Sequence, residues 1–249
     1  MAKAREDYVK DLNEMYDSFY KNGCNYNSCS NCMCESPANM KFDYAAKVGE
    51  DYGKTSAYKV LVVGKESKNK HVTVEKPADD ISKSSNTHYR GTLYTLALLL
   101  TNEVPESTSV NDLRKYNDLL KQFCLTNYFK CAFRKCDENK KGKIPVRGLP
   151  VNQFMKDACC KLLLREIEIL EPDIVIMQGK FMSELLWDAL EKEGYECIYG
   201  ENTPTSLYRY TLNGRSLYVL WDYHPAYPKW IKHKQRLIEA ISVFKSCQK

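Results

Sequence analysis

Apolar residues recur along this chain in two rhythms, and their alternation predicts the order of its elements. Tyr8, Leu12, Met15, Tyr16 and Phe19 fall at helical spacing, with Gly23 where a C-cap belongs, so 1–23 reads as an amphipathic helix covering the core. Within 58–67, YKVLVVGKES, a short continuous apolar run ends at Gly64, the pattern of a strand buried on both faces. A polar stretch over 68–88 predicts a surface loop, and GTLYTLALLLTNEV, 91–104, predicts a buried helix. A second strand is expected over 123–133, a helix over 159–172, a third strand over 173–179 and a helix over 180–194. A hairpin over 206–225 follows, in which Asn213-Gly214 is the strongest turn signal; its second arm, 216–222, is the fourth core strand. A helix over 232–244 comes last. Strands and helices alternate without a repeat or a long linker. That order predicts one α/β domain over 1–249, a three-layer α/β/α sandwich around a mainly parallel, four-stranded central sheet.

Composition narrows the setting. Hydrophobic residues make up 43% of the 249 and charged ones 28%, a globular mixture with no tendency to disorder. No apolar run is long enough to span a bilayer, and acidic residues interrupt the first helix where a secretion signal would be apolar. A cytoplasmic protein without a membrane partner is expected. In a reducing compartment eleven cysteines do not form a disulfide framework, so the segment 24–36, which holds Cys24, Cys29, Cys32 and Cys34, points to metal binding. One possibility is a compact zinc site made from those thiolates, although the C-x-C step from Cys32 to Cys34 strains a closed tetrahedron. The other is an iron-sulfur cluster whose remaining ligands lie downstream. Cys124 and Cys197 read as buried thiols. A net charge of +5 favours a polyanionic partner only weakly.

In a parallel sheet the site lies outside the carboxyl ends of the strands. Here those ends lead into GKESKN (64–69), TNYFKCAFRKC (126–136), QGKF (178–181) and YHPAYPKW (223–230). They carry Glu66, Asn127, His224 and several Lys and Arg. A carboxylate, an amide and an imidazole in one crevice amount to acid-base chemistry combined with hydrogen-bond recognition of a planar polar group.

In order, VLVVGKES, LTNYFKCAF, CCKLLLREIEILEPDIVIMQGK and YHPAYPKW resemble the uracil-DNA glycosylase superfamily, specifically its iron-sulfur branch. Members of that branch carry a strand ending in a G-E-A-P-G-like loop, a T-N-V-V-K-C-R-P strand, a Cys-started helix leading into P-x-x-I-V-x-L-G, and a late H-P-S loop. The resemblance covers most of 58–244, and its best block is 159–179. It implies a [4Fe-4S] cluster on Cys29, Cys32, Cys131 and Cys159, with Cys24, Cys34, Cys136 and Cys160 as neighbouring alternatives. Such a cluster staples distant segments together rather than taking part in the reaction.

The same resemblance assigns roles. A glycosylase flips a nucleotide out of DNA, stacks and reads the base, and stabilises charge as the glycosidic bond breaks. His224 would donate to the pyrimidine O2, Asn127 would read the base edge, and Tyr89 in HYRG would supply the stacking ring. Gly64 and Lys65 would border the base, and Glu66 would orient water and face the positive sugar. Lys65, Arg134, Lys229 and neighbouring lysines would meet phosphates, and Tyr227 would wedge into the space the base vacates. The first loop departs from the pattern, since Lys65 stands where relatives place the acid and the loop Pro and Gly are absent. Two expectations follow. One is a monofunctional, monomeric DNA glycosylase acting on a uracil-like or modified pyrimidine; the other is a catalytically inactive nucleic-acid-binding module with a structural metal cluster.

Overall fold

A computed structural model of the chain describes residues 3–22, 41–42, 46–54, 56–64, 87–128, 131–132, 153–179, 186–187, 190, 194–201, 203, 205–225 and 230–248. In chain order the elements are α1 (Arg5–Asn22), β1 (Lys41–Phe42), β2 (Lys47–Val48), β3 (Val60–Gly64), α2 (Thr87–Leu100), α3 (Val110–Leu113), a 3-10 segment (Arg114–Lys121), β4 (Phe123–Asn127) and β5 (Cys131–Ala132). Then come α4 (Gln153–Leu170), β6 (Ile174–Gln178), β7 (Tyr195–Tyr199), β8 (Ser206–Leu212), β9 (Arg215–Asp222) and α5 (Trp230–Cys247).

The main sheet has seven strands in the order β2-β4-β3-β6-β9-β8-β7, and β1 pairs with β5 apart from it. The expected four core strands are all present and mutually parallel, in the order β4-β3-β6-β9. The count of four is corrected by strands added antiparallel at both edges, β2 on β4 and the β8-β7 pair on β9. Asn213 and Gly214 both have positive φ, 50° and 75°, so the expected tight turn joins β8 to β9.

Alternation along the parallel strands sends side chains into two separate cores. Leu61, Val63, Cys124, Val175, Met177 and Val219 pack with α1 and α4 on one face, and Leu186 and Leu190 join them. Val60, Val62, Phe123, Ile174, Ile176 and Leu220 pack with α2, the 3-10 segment and α5 on the other. Residues 91–99 of α2 are buried without a break, which is what a helix stretch apolar on all sides predicts. It spans 87–100 rather than 91–104, so the expected loop stops short of Thr87 and His88. The strand expected over 123–133 is broken: β4 ends at Asn127, the Tyr128 side chain turns into the core, and two residues resume as β5 against β1. The helix expected from 159 begins at Gln153. Of the helix expected over 180–194, Leu186, Trp187 and Leu190 are described and helical. Gly23 lies outside the described residues. Among them, no helix is long and apolar enough to cross a membrane.

Candidate active site at the carboxyl ends of the parallel strands

The register of the parallel strands aligns their last residues. Gly64 of β3 is level with Asn127 of β4, and Gln178 of β6 with Asp222 of β9. Because Val63 faces Met177, Gly64 and Gln178 are neighbours as well. The rim therefore reads Asn127, Gly64, Gln178, Asp222 across four strands. By the period of two, all four positions face α2 rather than α1. Three of them are polar, so the apolar strands end at one level with hydrogen-bonding side chains on either side of Gly64.

Each neighbour of that row is fixed by a close contact. Asn127 Oδ1 lies 2.7 Å from where a Cβ on residue 64 would stand, so the asparagine occupies space that only glycine leaves open. Gln178 Nε2 donates to Thr92 Oγ1 on α2 at 2.8 Å, and its Oε1 is buried without a partner among the described residues. Thr205 Oγ1 donates to Asp222 Oδ1 at 3.0 Å. After β9, His224 passes over Gly179, its Cβ 3.9 Å from a Cβ built on that glycine. Gly179 sits at φ +118°, a conformation L side chains rarely adopt, and donates its N–H to the Asp222 carbonyl at 2.8 Å. The next residue, Pro225, presses on α2: a Cβ on Gly91 would come within 2.3 Å of the Pro225 Cβ. Tyr223 packs on His233 of α5, ring centres 4.8 Å apart and planes tilted by 35°. Tyr89, two residues before Gly91, is half-buried against the α2 core.

The structure thus brings Gly64, Asn127 and His224 to one end of the sheet, with Tyr89 two residues from the Gly91–Pro225 contact, together with Gln178, which the sequence placed in the QGKF loop but gave no role. The available signal was a glutamine closing a strand whose other residues are apolar, at the leucine position of the P-x-x-I-V-x-L-G pattern. Lys65, Glu66, Arg134, Tyr227 and Lys229 lie outside the described residues.

Of the expected metal ligands, Cys159 is the one whose side chain is described, and it falls on the opposite face of the sheet, in the core that α1 and α4 cover. Cys159 and Cys160 are buried in the amino half of α4. The Tyr128 hydroxyl donates to the Lys156 carbonyl at 3.1 Å and meets the Cys160 thiol; burial first, then the two thiols, push its pKa up. α1 runs antiparallel to α4, because Tyr16 bonds Glu166 whereas Tyr8 packs on Tyr52, whose hydroxyl reaches the Leu170 carbonyl. The carboxyl end of α1 therefore points toward the Cys159 end of α4. Phe42, just after the cysteine-rich segment, pairs directly with Cys131. Cys29 and Cys32 lie outside the described residues, as does the Cys131 side chain. Among the described residues no group of three or more His, Cys, Asp or Glu is placed to hold a metal.

A scan against protein-family models finds no match, and a search of curated proteins finds none either. Strand order, rim residues and cysteine placement are therefore what any functional assignment of this chain stands on.

Proposed function

We propose that the chain is a monofunctional DNA glycosylase of the iron-sulfur uracil-DNA glycosylase type, built as a single α/β/α sandwich that binds DNA without an obligate protein partner. The observation that carries this is the meeting of Asn127, Gly64, the Tyr89–Gly91 segment and His224 at one end of four parallel strands. An amide held over a glycine, an aromatic ring nearby and an imidazole arriving from the last parallel strand suit a base lifted out of the helix. Asn127 reads the base edge, Tyr89 stacks on it, and His224 donates to the O2 that gains negative charge as the bond weakens. Water adds its hydroxyl to C1′ of the sugar and the N-glycosidic bond breaks. The departing base takes both bonding electrons and a proton, leaving an abasic site. Glu66 orients that water, and Lys65, Arg134, Lys229 and Tyr227 engage the DNA on either side.

The described ends of the cysteine-rich segment fit a shared thiolate site. α1 leads into it toward the Cys159 end of α4, and β1 leaves it beside Cys131. Cys29, Cys32, Cys131 and Cys159 would hold a [4Fe-4S] cluster whose contribution is to tie α1 and the N-terminal segment to the sheet. Protein purified without oxygen is expected to be brown and to contain iron and sulfide. A colourless protein with stoichiometric zinc would replace the cluster by the zinc site.

The deciding experiment is a panel of oligonucleotides carrying uracil, other deaminated bases or modified cytosines, scored for alkali-labile strand breaks. Cleavage of at least one substrate, abolished by His224→Ala with folding and metal content intact, is the expected result. If no substrate is cut while DNA is still bound, the binding-module alternative takes its place, favoured by Lys65 standing where relatives carry the acid.

A further inference from the structure

Gln178 is 2% exposed and is the only polar residue of β6. Its Nε2 is used by Thr92, at 2.8 Å, but its Oε1 is closed off from water and has no hydrogen-bond partner among the described residues. A buried amide oxygen in that state is costly to keep, and apolar side chains of similar size would fit the end of an apolar strand without that cost. The neighbours in the rim do not relieve it. Gly64 has no side chain, and Asp222 is a carboxylate, an acceptor already served by Thr205. On the far side of Gly64 stands the second amide, Asn127, with its oxygen turned to the glycine. Two side-chain amides thus bracket Gly64, the one rim position without a side chain, and Gln178 is one residue from Gly179, over which His224 passes.

The geometry points to Gln178 as a specificity-determining residue whose Oε1 accepts a hydrogen bond from an exocyclic amine of the bound base. This rests on the glycosylase reading of the site and selects within it a cytosine-type, amino-bearing pyrimidine over a uracil-type, keto-bearing one. Side-chain amides recognise amino-bearing base edges because they offer an acceptor for the amine. A keto oxygen set against Oε1 would place acceptor against acceptor and leave both buried groups unpaired, and sites built around such a bond reject the analogue lacking its donor.

The test uses the full chain and its Gln178→Leu variant, with Gln178→Met as the replacement should the first fail to fold. Excision is measured under single turnover on duplexes of the same flanking sequence whose target pyrimidine carries an amine or a keto group at C4, with the matching change at N3. The parent is expected to prefer the amine, and the variant to lose roughly tenfold to hundredfold of that preference, the size of an unmade hydrogen bond in a buried site. A folded variant with an unchanged amine-to-keto ratio overturns the inference while leaving the glycosylase proposal standing. Binding to the same oligonucleotides made with 2′-fluoro sugars, which resist hydrolysis, is measured in parallel. Should no substrate be cleaved, an amine preference in binding that disappears in Gln178→Leu still supports the role of Gln178, and its absence from the parent overturns it.

Discussion

Two buried polar groups sit on opposite faces of the same sheet, and they are finished differently. On the α1 and α4 face, the Glu166 carboxylate is fully buried and both its oxygens are used: Tyr16 donates to one, and Thr126 donates to the other at 2.9 Å. The Tyr16 hydroxyl also accepts from the Ala46 amide at 2.7 Å, so one acid ties α1, β4, α4 and the entry to β2. On the α2 face, the Gln178 amide nitrogen donates to Thr92 while its oxygen is an unused acceptor among the described residues. Thr126 and Asn127 are adjacent in β4, so a single strand end serves both clusters. A buried network with every member satisfied holds a structure rigid, whereas a buried acceptor left unpaired beside a row of site residues needs an explanation of its own. The closed cluster reads as the scaffold and the open one as the site.

Removing the centre of the closed cluster is the severest way to break that distinction. Glu166→Ala leaves the Tyr16 and Thr126 hydroxyls without their acceptor and opens a cavity among three elements, and is expected to cost about 3–5 kcal/mol of folding stability. Urea denaturation measures it. A loss below about 1 kcal/mol would mean the network tolerates opening and that α1 is held by apolar contacts alone. Glu166→Gln keeps one acceptor oxygen and should fall between parent and Ala.

The frame that carries both clusters was legible in the sequence because apolar runs of five residues ending in glycine or a polar residue announce buried parallel strands. Val60–Gly64 and Ile174–Gln178 are of this kind, and Asn213-Gly214 fixed its hairpin through the positive φ its turn demands. Edge strands were not legible. Lys47–Val48 and Lys41–Phe42 are too short to show a period, and Tyr195–Tyr199 is half exposed and mixes aromatic and charged residues. The end of β4 was hidden because apolar residues resume after Thr126 and Asn127 in FCLTNYFKCAF, so the run reads on as one strand, and the tertiary contact of Tyr128 with α4 goes with the point where pairing stops. At the site, the types Asn, His and Gly in terminal loops were visible. Gln178 was visible at the head of QGKF, but its alignment depended on register, since pairing across β3, β6 and β9 is what puts it in line with Gly64 and Asp222.

A smaller change should separate site from scaffold within the single strand end they share. In Gly64→Ala the new methyl would stand 2.7 Å from Asn127 Oδ1 and no nearer than 3.9 Å to the other atoms around it, so the amide is what must give way. Asn127 is only half-buried and can swing outward, which keeps the stability change below about 1 kcal/mol, less than overpacking costs in a closed core. Thr126 and its bond to Glu166, on the other face, are untouched. If Asn127 reads the base, its displacement by an ångström or so should lower the excision rate about 100-fold at nearly full stability. The double variant decides whether the effect travels through Asn127. When Asn127→Ala has already removed the amide, adding Gly64→Ala should cost nothing more, because the two changes share one interaction and do not add. Equal losses in both backgrounds would show instead that the methyl itself meets the substrate, and the rim between Asn127 and Gln178 would be the floor on which the base rests.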